Sequence, residues 1–88
     1  MDWKERAIDL VFDYVKERIN KIDKVEFKRE DVFIVWLCKT LQNAKCLLST
    51  TLPDGMYYEV TFDGDKKKIY FDVYEKFQNV QYDWDETE

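Results

Sequence analysis

Cys38 and Cys46, the run Lys66-Lys67-Lys68, and carboxylate pairs such as Asp13 with Glu17 are the groups in this 88-residue chain that could do chemistry. A cysteine nucleophile acts as its thiolate, which a neighbouring imidazole normally generates. The chain has no histidine, so that activation has no source, and imidazole-based acid–base or metal chemistry goes with it. Both cysteines lie in apolar stretches, VFIVWLC and KCLLSTT, where a thiol pKa rises. Asp13 and Glu17 stand one helical turn apart among Glu5, Asp9, Lys16 and Lys21, the pattern of a solvated helix face. Two glycines cannot build a phosphate-cradling loop. The expectation is a protein that is not an enzyme, with no catalytic residue, no metal, no cofactor and no small-molecule substrate.

The elements that position these groups follow from periodicity. Residues 2–22 carry Ile8, Val11, Val15, Ile19 and Ile22 at helical spacing, with Asp2 placed as N-cap and Glu5 three residues on. Residues 23–31 form a connector with Val25 and Phe27 as apolar anchors. Residues 32–40 are β-branched and aromatic, residues 45–51 form a second strand, and residues 56–62 a third, alternating Met56, Tyr58, Val60 and Phe62 against Tyr57, Glu59 and Thr61. Gln42-Asn43 and Pro53-Asp54-Gly55 mark the turns. A three-residue first loop would set Cys38 opposite Cys46. From 65 to about 80, Tyr70, Val73, Tyr74, Phe77 and Val80 fit a helix, with Asp65 in place to cap it. Alternation through Ile69, Phe71 and Val73 collapses at Glu75. The predicted fold is therefore α+β: α-β-β-β-α, a three-stranded antiparallel meander packed by two helices on one face. Residues 1–80 make a single domain and residues 81–88 an acidic, aromatic C-terminal tail.

The net charge of −5 belongs to that tail. Asp83, Asp85, Glu86 and Glu88 account for −4, so residues 1–82 sum to −1. Overall charge therefore does not mark the body as a nucleic-acid mimic. The N-terminus is charged and no run is long enough to cross a membrane. A cytoplasmic, reduced protein with no membrane partner is expected, its cysteines small buried hydrophobes.

The order helix, three antiparallel strands, helix resembles that of the double-stranded-RNA-binding domain, which uses lysines at the start of its second helix. That likeness rests on topology and on Lys66, Lys67 and Lys68 alone. Gln42-Asn43 stand where that family has its Gly-Pro-His-type loop, and the acidic tail opposes phosphate binding. Nucleic-acid binding through these lysines is thus the alternative reading.

A closer likeness is carried by Val35-Trp36, Lys39-Thr40-Leu41-Gln42-Asn43, Ser49-Thr50-Thr51, Asp54-Gly55-Met56-Tyr57-Tyr58-Glu59-Val60-Thr61 and Asp63-Gly64-Asp65-Lys66-Lys67. Through these the chain resembles a family of small, uncharacterised proteins encoded by phages and prophages of Gram-positive bacteria. The resemblance implies a phage accessory protein in the cytoplasm of a host bacterium, acting by protein–protein binding and inhibiting a host or defence protein. It implies no site residues.

One observation from the residues agrees with a binding role. The first strand is apolar on both faces, so either Phe33/Val35/Leu37 or Ile34/Trp36/Cys38 must be exposed, covered by the 23–31 connector, or buried against a partner. A symmetric homodimer is the commonest form of partner for the apolar first strand. Candidate partner-binding positions are Trp36, Lys39, Thr40, Gln42 and Asn43, with Tyr57 on the open face. Tyr82 and Trp84 in the tail complete the set, either as a docking peptide or folded onto Lys66–Lys68.

Overall fold

A computed structural model describes residues 2–19 and 26–84. Its first element is the helix α1, Trp3–Ile19. Asp2 caps it: the Oδ1 oxygen accepts the backbone N–H groups of Lys4 and Glu5 at 3.0 and 3.5 Å, satisfying donors that a helix start leaves open. Ala7, Val11 and Val15, four residues apart, form its buried stripe. Ile22 and Val25, which the sequence assigns to the helix and the connector, lie outside the described residues.

Phe27 is buried and stacks on Phe12 of α1, with ring centroids 5.6 Å apart. The connector's described anchor thus packs beside the helix. A single 3-10 turn, Arg29–Asp31, follows. Arg29 ties it to α1, donating from Nε to Asp9 at 2.8 Å and from the guanidinium end to Glu5 at 2.6 Å. These hydrogen bonds, the Asp9 one foremost, push the guanidinium pKa further up.

Four strands make one antiparallel meander in the order β1-β2-β3-β4: β1 Val32–Thr40, β2 Asn43–Thr50, β3 Met56–Asp63 and β4 Lys68–Glu75. The helix lies over β1, β2 and β3, on the face formed by Val32 and Ile34 of β1, Ala44, Cys46 and Leu48 of β2 and Tyr58, Val60 and Phe62 of β3. Trp3 meets Phe62 edge-on at 5.9 Å, and Tyr14 meets Tyr58 at 5.9 Å. The helix therefore starts over the end of the sheet that holds the 41–42 and 64–67 turns and finishes over the opposite end. Val11, Cys46, Leu48 and Val60 are fully buried.

Residues 65–80 correct the expected second helix. Residues 68–75 are a strand, paired along its whole length with β3 from Asp63↔Lys68 to Met56↔Glu75. The apolar periodicity fits both elements, but only the strand places Ile69, Phe71 and Val73 opposite Phe62, Val60 and Tyr58 on the helix-covered face. It also supplies partners for the backbone of β3, which would otherwise be an open edge. Tyr14 and Tyr58 both pack on Phe71, at 5.2 and 6.1 Å. The alternation that fails at Glu75 fails where the strand ends. Asp65 caps no helix: it sits in the β3–β4 turn, where its N–H donates to Asp63 Oδ1 at 3.1 Å. Among the described residues the fold thus has one α-helix and a four-stranded meander, and the element order is not that of the double-stranded-RNA-binding domain.

The first hairpin is also tighter than a three-residue loop. Thr40 pairs with Asn43, leaving Leu41 and Gln42 as the loop, with Leu41 at φ 55°. Cys38 consequently pairs with Lys45 and Cys46 with Leu37, so the two thiols point to opposite faces. The two cysteines therefore do not sit opposite each other. Burial pushes the Cys46 thiol up to about 11, while Cys38 is exposed. Iodoacetamide at about pH 8 should add one label to the native protein, on Cys38. Peptide mass mapping checks this, and rapid labelling of Cys46 would mean that the core opens.

Candidate functional site

The double apolar character of β1 has a local cause. Its register with β2 shifts between Ile34 and Trp36, so Val35 is a bulge. Val32 and Ile34 precede it on the helix side; Leu37 and Lys39 follow it on that side. Phe33, Trp36, Cys38 and Thr40 take the other face. The bulge thus splits each alternating set of the strand between the two faces, so both faces carry apolar residues from before and after it. Phe33, Val35, Trp36 and Leu37 are all about half exposed.

The face away from the helix carries no described element. Its rows, read across the strands, are Trp36, Leu47, Glu59 and Asp72, then Cys38, Lys45, Thr61 and Tyr70, with Tyr57 opposite Tyr74 beyond. Trp36, Tyr70 and Tyr74 are about half exposed. Lys45 lies 3.7 Å from Glu59, a surface pair worth about 0–1 kcal/mol. Near Trp36 the face dips into a shallow depression of about 400 Å³, lined also by Cys38, Thr40, Asn43, Lys45 and Thr61. Tyr57 lies further along this face, with Lys76 Nζ 5.9 Å from its ring centroid.

A second concavity opens at the turn end of the sheet. Trp3, Ala44, Phe62 and Ile69 form its apolar lining, and Lys39, Lys67, Lys68, Gln42 and Asp63 its polar rim, around about 370 Å³. Two hairpin tips close against each other here. Gln42 Nε2 donates to Asp65 Oδ1, and the Gly64 N–H donates to Asn43 Oδ1 at 2.9 Å. Asp63 Oδ1 accepts the N–H groups of Asp65 and Lys66, both at 3.1 Å, which folds the turn and brings Lys67, at φ 55°, beside Lys68. Lys39 Nζ donates to the Leu41 carbonyl at 2.5 Å. The rim therefore carries three cations against one carboxylate.

The residues singled out from sequence divide between these places. Trp36, Thr40 and Asn43 line the open-face depression; Lys39, Gln42, Lys67 and Lys68 meet at the turn-end concavity; Lys66 stays in the turn itself. Tyr82 and Trp84 touch neither, lying exposed in residues 76–84, which have no regular structure. The sequence reads residues 65–80 as a helix, and on a helix Tyr70 and Tyr74 have no place on the open face. Reading Lys68, Tyr70, Asp72 and Tyr74 as every second residue of a strand would have found them. Trp3, Phe62 and Ile69 escape sequence reasoning because they come from three distant segments. Among the described residues, no helix is long and apolar enough to cross a membrane.

Among the described residues, one helix laid over a four-stranded antiparallel meander, with no element on the opposite face, defines an α+β protein with an open sheet. The chain matches the family of unknown function DUF6275 over residues 4–84 and belongs to that family. Comparison with curated proteins and with solved structures returns no match.

Proposed function

We propose that this chain acts without catalysis, as a binding protein whose open sheet face seats a partner protein. The supporting observation is the bare face itself, where Phe33, Trp36, Tyr70 and Tyr74 stand about half exposed with no described element over them. Exposed aromatic side chains with polar tips on a rigid sheet are typical interface anchors. Glu59 and Asp72 lie among the rings, so the complementary surface is apolar with basic groups at its rim. A phage-type accessory protein that inhibits a host or defence protein in the bacterial cytoplasm fits this role, as the likeness drawn from sequence implies.

The test compares wild type with Trp36→Glu/Tyr70→Glu, both immobilised and exposed to bacterial lysate. Wild type should retain a protein in stoichiometric amount, and the double variant should lose it while keeping the wild-type Tm. Equal retention by both, or by neither, removes the open face from the role.

A further inference from the structure

The segment after β4 has apolar side chains that the described body leaves largely exposed. Phe77, Val80, Tyr82 and Trp84 are 97%, 50%, 84% and 85% exposed. The radius of gyration is 15.6 Å, against about 12 Å for a compact chain of this length. With Phe77, Tyr82 and Trp84 almost fully exposed, the segment is not packed on the described body. Val80, Tyr82 and Trp84 alternate with Gln81 and Asp83, the two-residue period of an extended chain with one apolar edge.

We propose that two copies of this chain exchange these segments, each inserting Tyr82 and Trp84 into the other's concavity between Trp3, Phe62 and Ile69. Three observations carry the assignment. First, the charges match: Asp83 is followed in sequence by Asp85, Glu86 and Glu88, while the concavity's rim holds Lys39, Lys67 and Lys68 against Asp63. Asp63 already accepts two backbone N–H groups, so its carboxylate is committed to the turn. Second, the lining is apolar and the volume of about 370 Å³ admits an aromatic side chain.

Third, the direction is wrong for the same chain. The segment leaves from the end of the sheet opposite the concavity, where the Lys76 N–H donates to the Gly55 carbonyl at 2.8 Å and Lys76 reaches over Tyr57. An eight-residue strand separates that point from the concavity, roughly 26 Å. Docking within one chain requires a reversal at the residue those contacts hold. A two-fold partner requires none, and the exchange makes the same contact twice. This inference deepens the binding role by naming a second copy as a partner, and it uses neither Trp36 nor Tyr70, so either site can fail alone.

Sedimentation velocity on the full chain over a range of concentrations tests it. The wild type should form a concentration-dependent dimer that weakens as salt rises. Tyr82→Ala/Trp84→Ala and Lys67→Glu/Lys68→Glu should each lower dimer affinity by roughly ten-fold or more. All four residues are exposed, so the circular dichroism of both variants should match wild type, while their Tm falls to that of the monomer as the dimer is lost. Mixing the two variants restores one intact segment-to-concavity contact, and heterodimer should form above the level of either alone. A dimer insensitive to Tyr82 and Trp84 overturns the proposal. So does a wild type that stays monomeric, whether iodide quenching compared with Trp84→Phe finds Trp84 shielded or open.

Discussion

Leu48→Ala is expected to remove about 2–5 kcal/mol of stability, the range for truncating a fully buried leucine. Leu48 pairs with Ile34 on one side and Tyr58 on the other, under the helix, and it has no exposed surface. Its δ-methyl groups fill space between strands held by backbone ladders on both flanks, so the walls have little freedom to collapse into a void. A domain of this size is stable by only about 5–15 kcal/mol, and small cores sit low in that range. Urea unfolding should show a midpoint well below wild type with an unchanged slope, and Tm should fall by at least about 10 °C. Leu48→Ile, which conserves volume, should lose less than about 1.5 kcal/mol. An alanine variant as stable as wild type would mean that the helix does not seat on β2.

Gly64→Ala is expected to be the second most damaging single change. Gly64 lies where the β3–β4 turn touches the β1–β2 hairpin tip. A Cβ there would fall inside contact distance of the Gln42 carbonyl oxygen and 2.7 Å from the Gln42 Cβ and Cγ. One tip must then move, stretching the Gly64 N–H to Asn43 bond and the Gln42 to Asp65 bond. Overpacking of this kind costs about 1–3 kcal/mol. Because the clash includes a backbone oxygen, Gln42→Gly should restore only part of the loss, which thermal denaturation of the single and double variants will show. The same shift moves Lys39 away from Lys67 and Lys68, so Gly64→Ala should also weaken the segment exchange. Full rescue by Gln42→Gly would place the conflict in the side chain alone.

These two positions separate what was legible beforehand from what was not. Leu48 belongs to an alternation visible in the sequence, and its burial needs only that residues 45–51 be a strand. Gly64, just past the end of β3, is a residue type common in turns, but nothing in the sequence says that its missing side chain admits Gln42. The open face shows the same division. Tyr57 is found on it as expected from strand alternation, whereas the side taken by Trp36 follows from the bulge at Val35, and Tyr70 and Tyr74 lie on an element that the sequence reads as a helix. Phe27 was legible as an anchor, but not that it would stack beside the helix on Phe12.

Local interactions explain why α1 and the first three strands could be read directly. The Asp2 cap, the four-residue spacing of Ala7, Val11 and Val15, and the Pro53-Asp54-Gly55 turn each act within a few residues, so the sequence determines them alone. The state of residues 68–75 is not local. Their side chains fit a helix or a strand, and the choice falls to the backbone of β3, whose donors and acceptors need a partner, and to the covered face, where Phe71 packs against the core. The bulge at Val35 and the meeting of Trp3, Lys39, Phe62 and Lys68 at one rim are likewise tertiary. They exist because pairing register and helix placement bring distant segments together, and those long-range contacts have no counterpart in any short stretch of sequence.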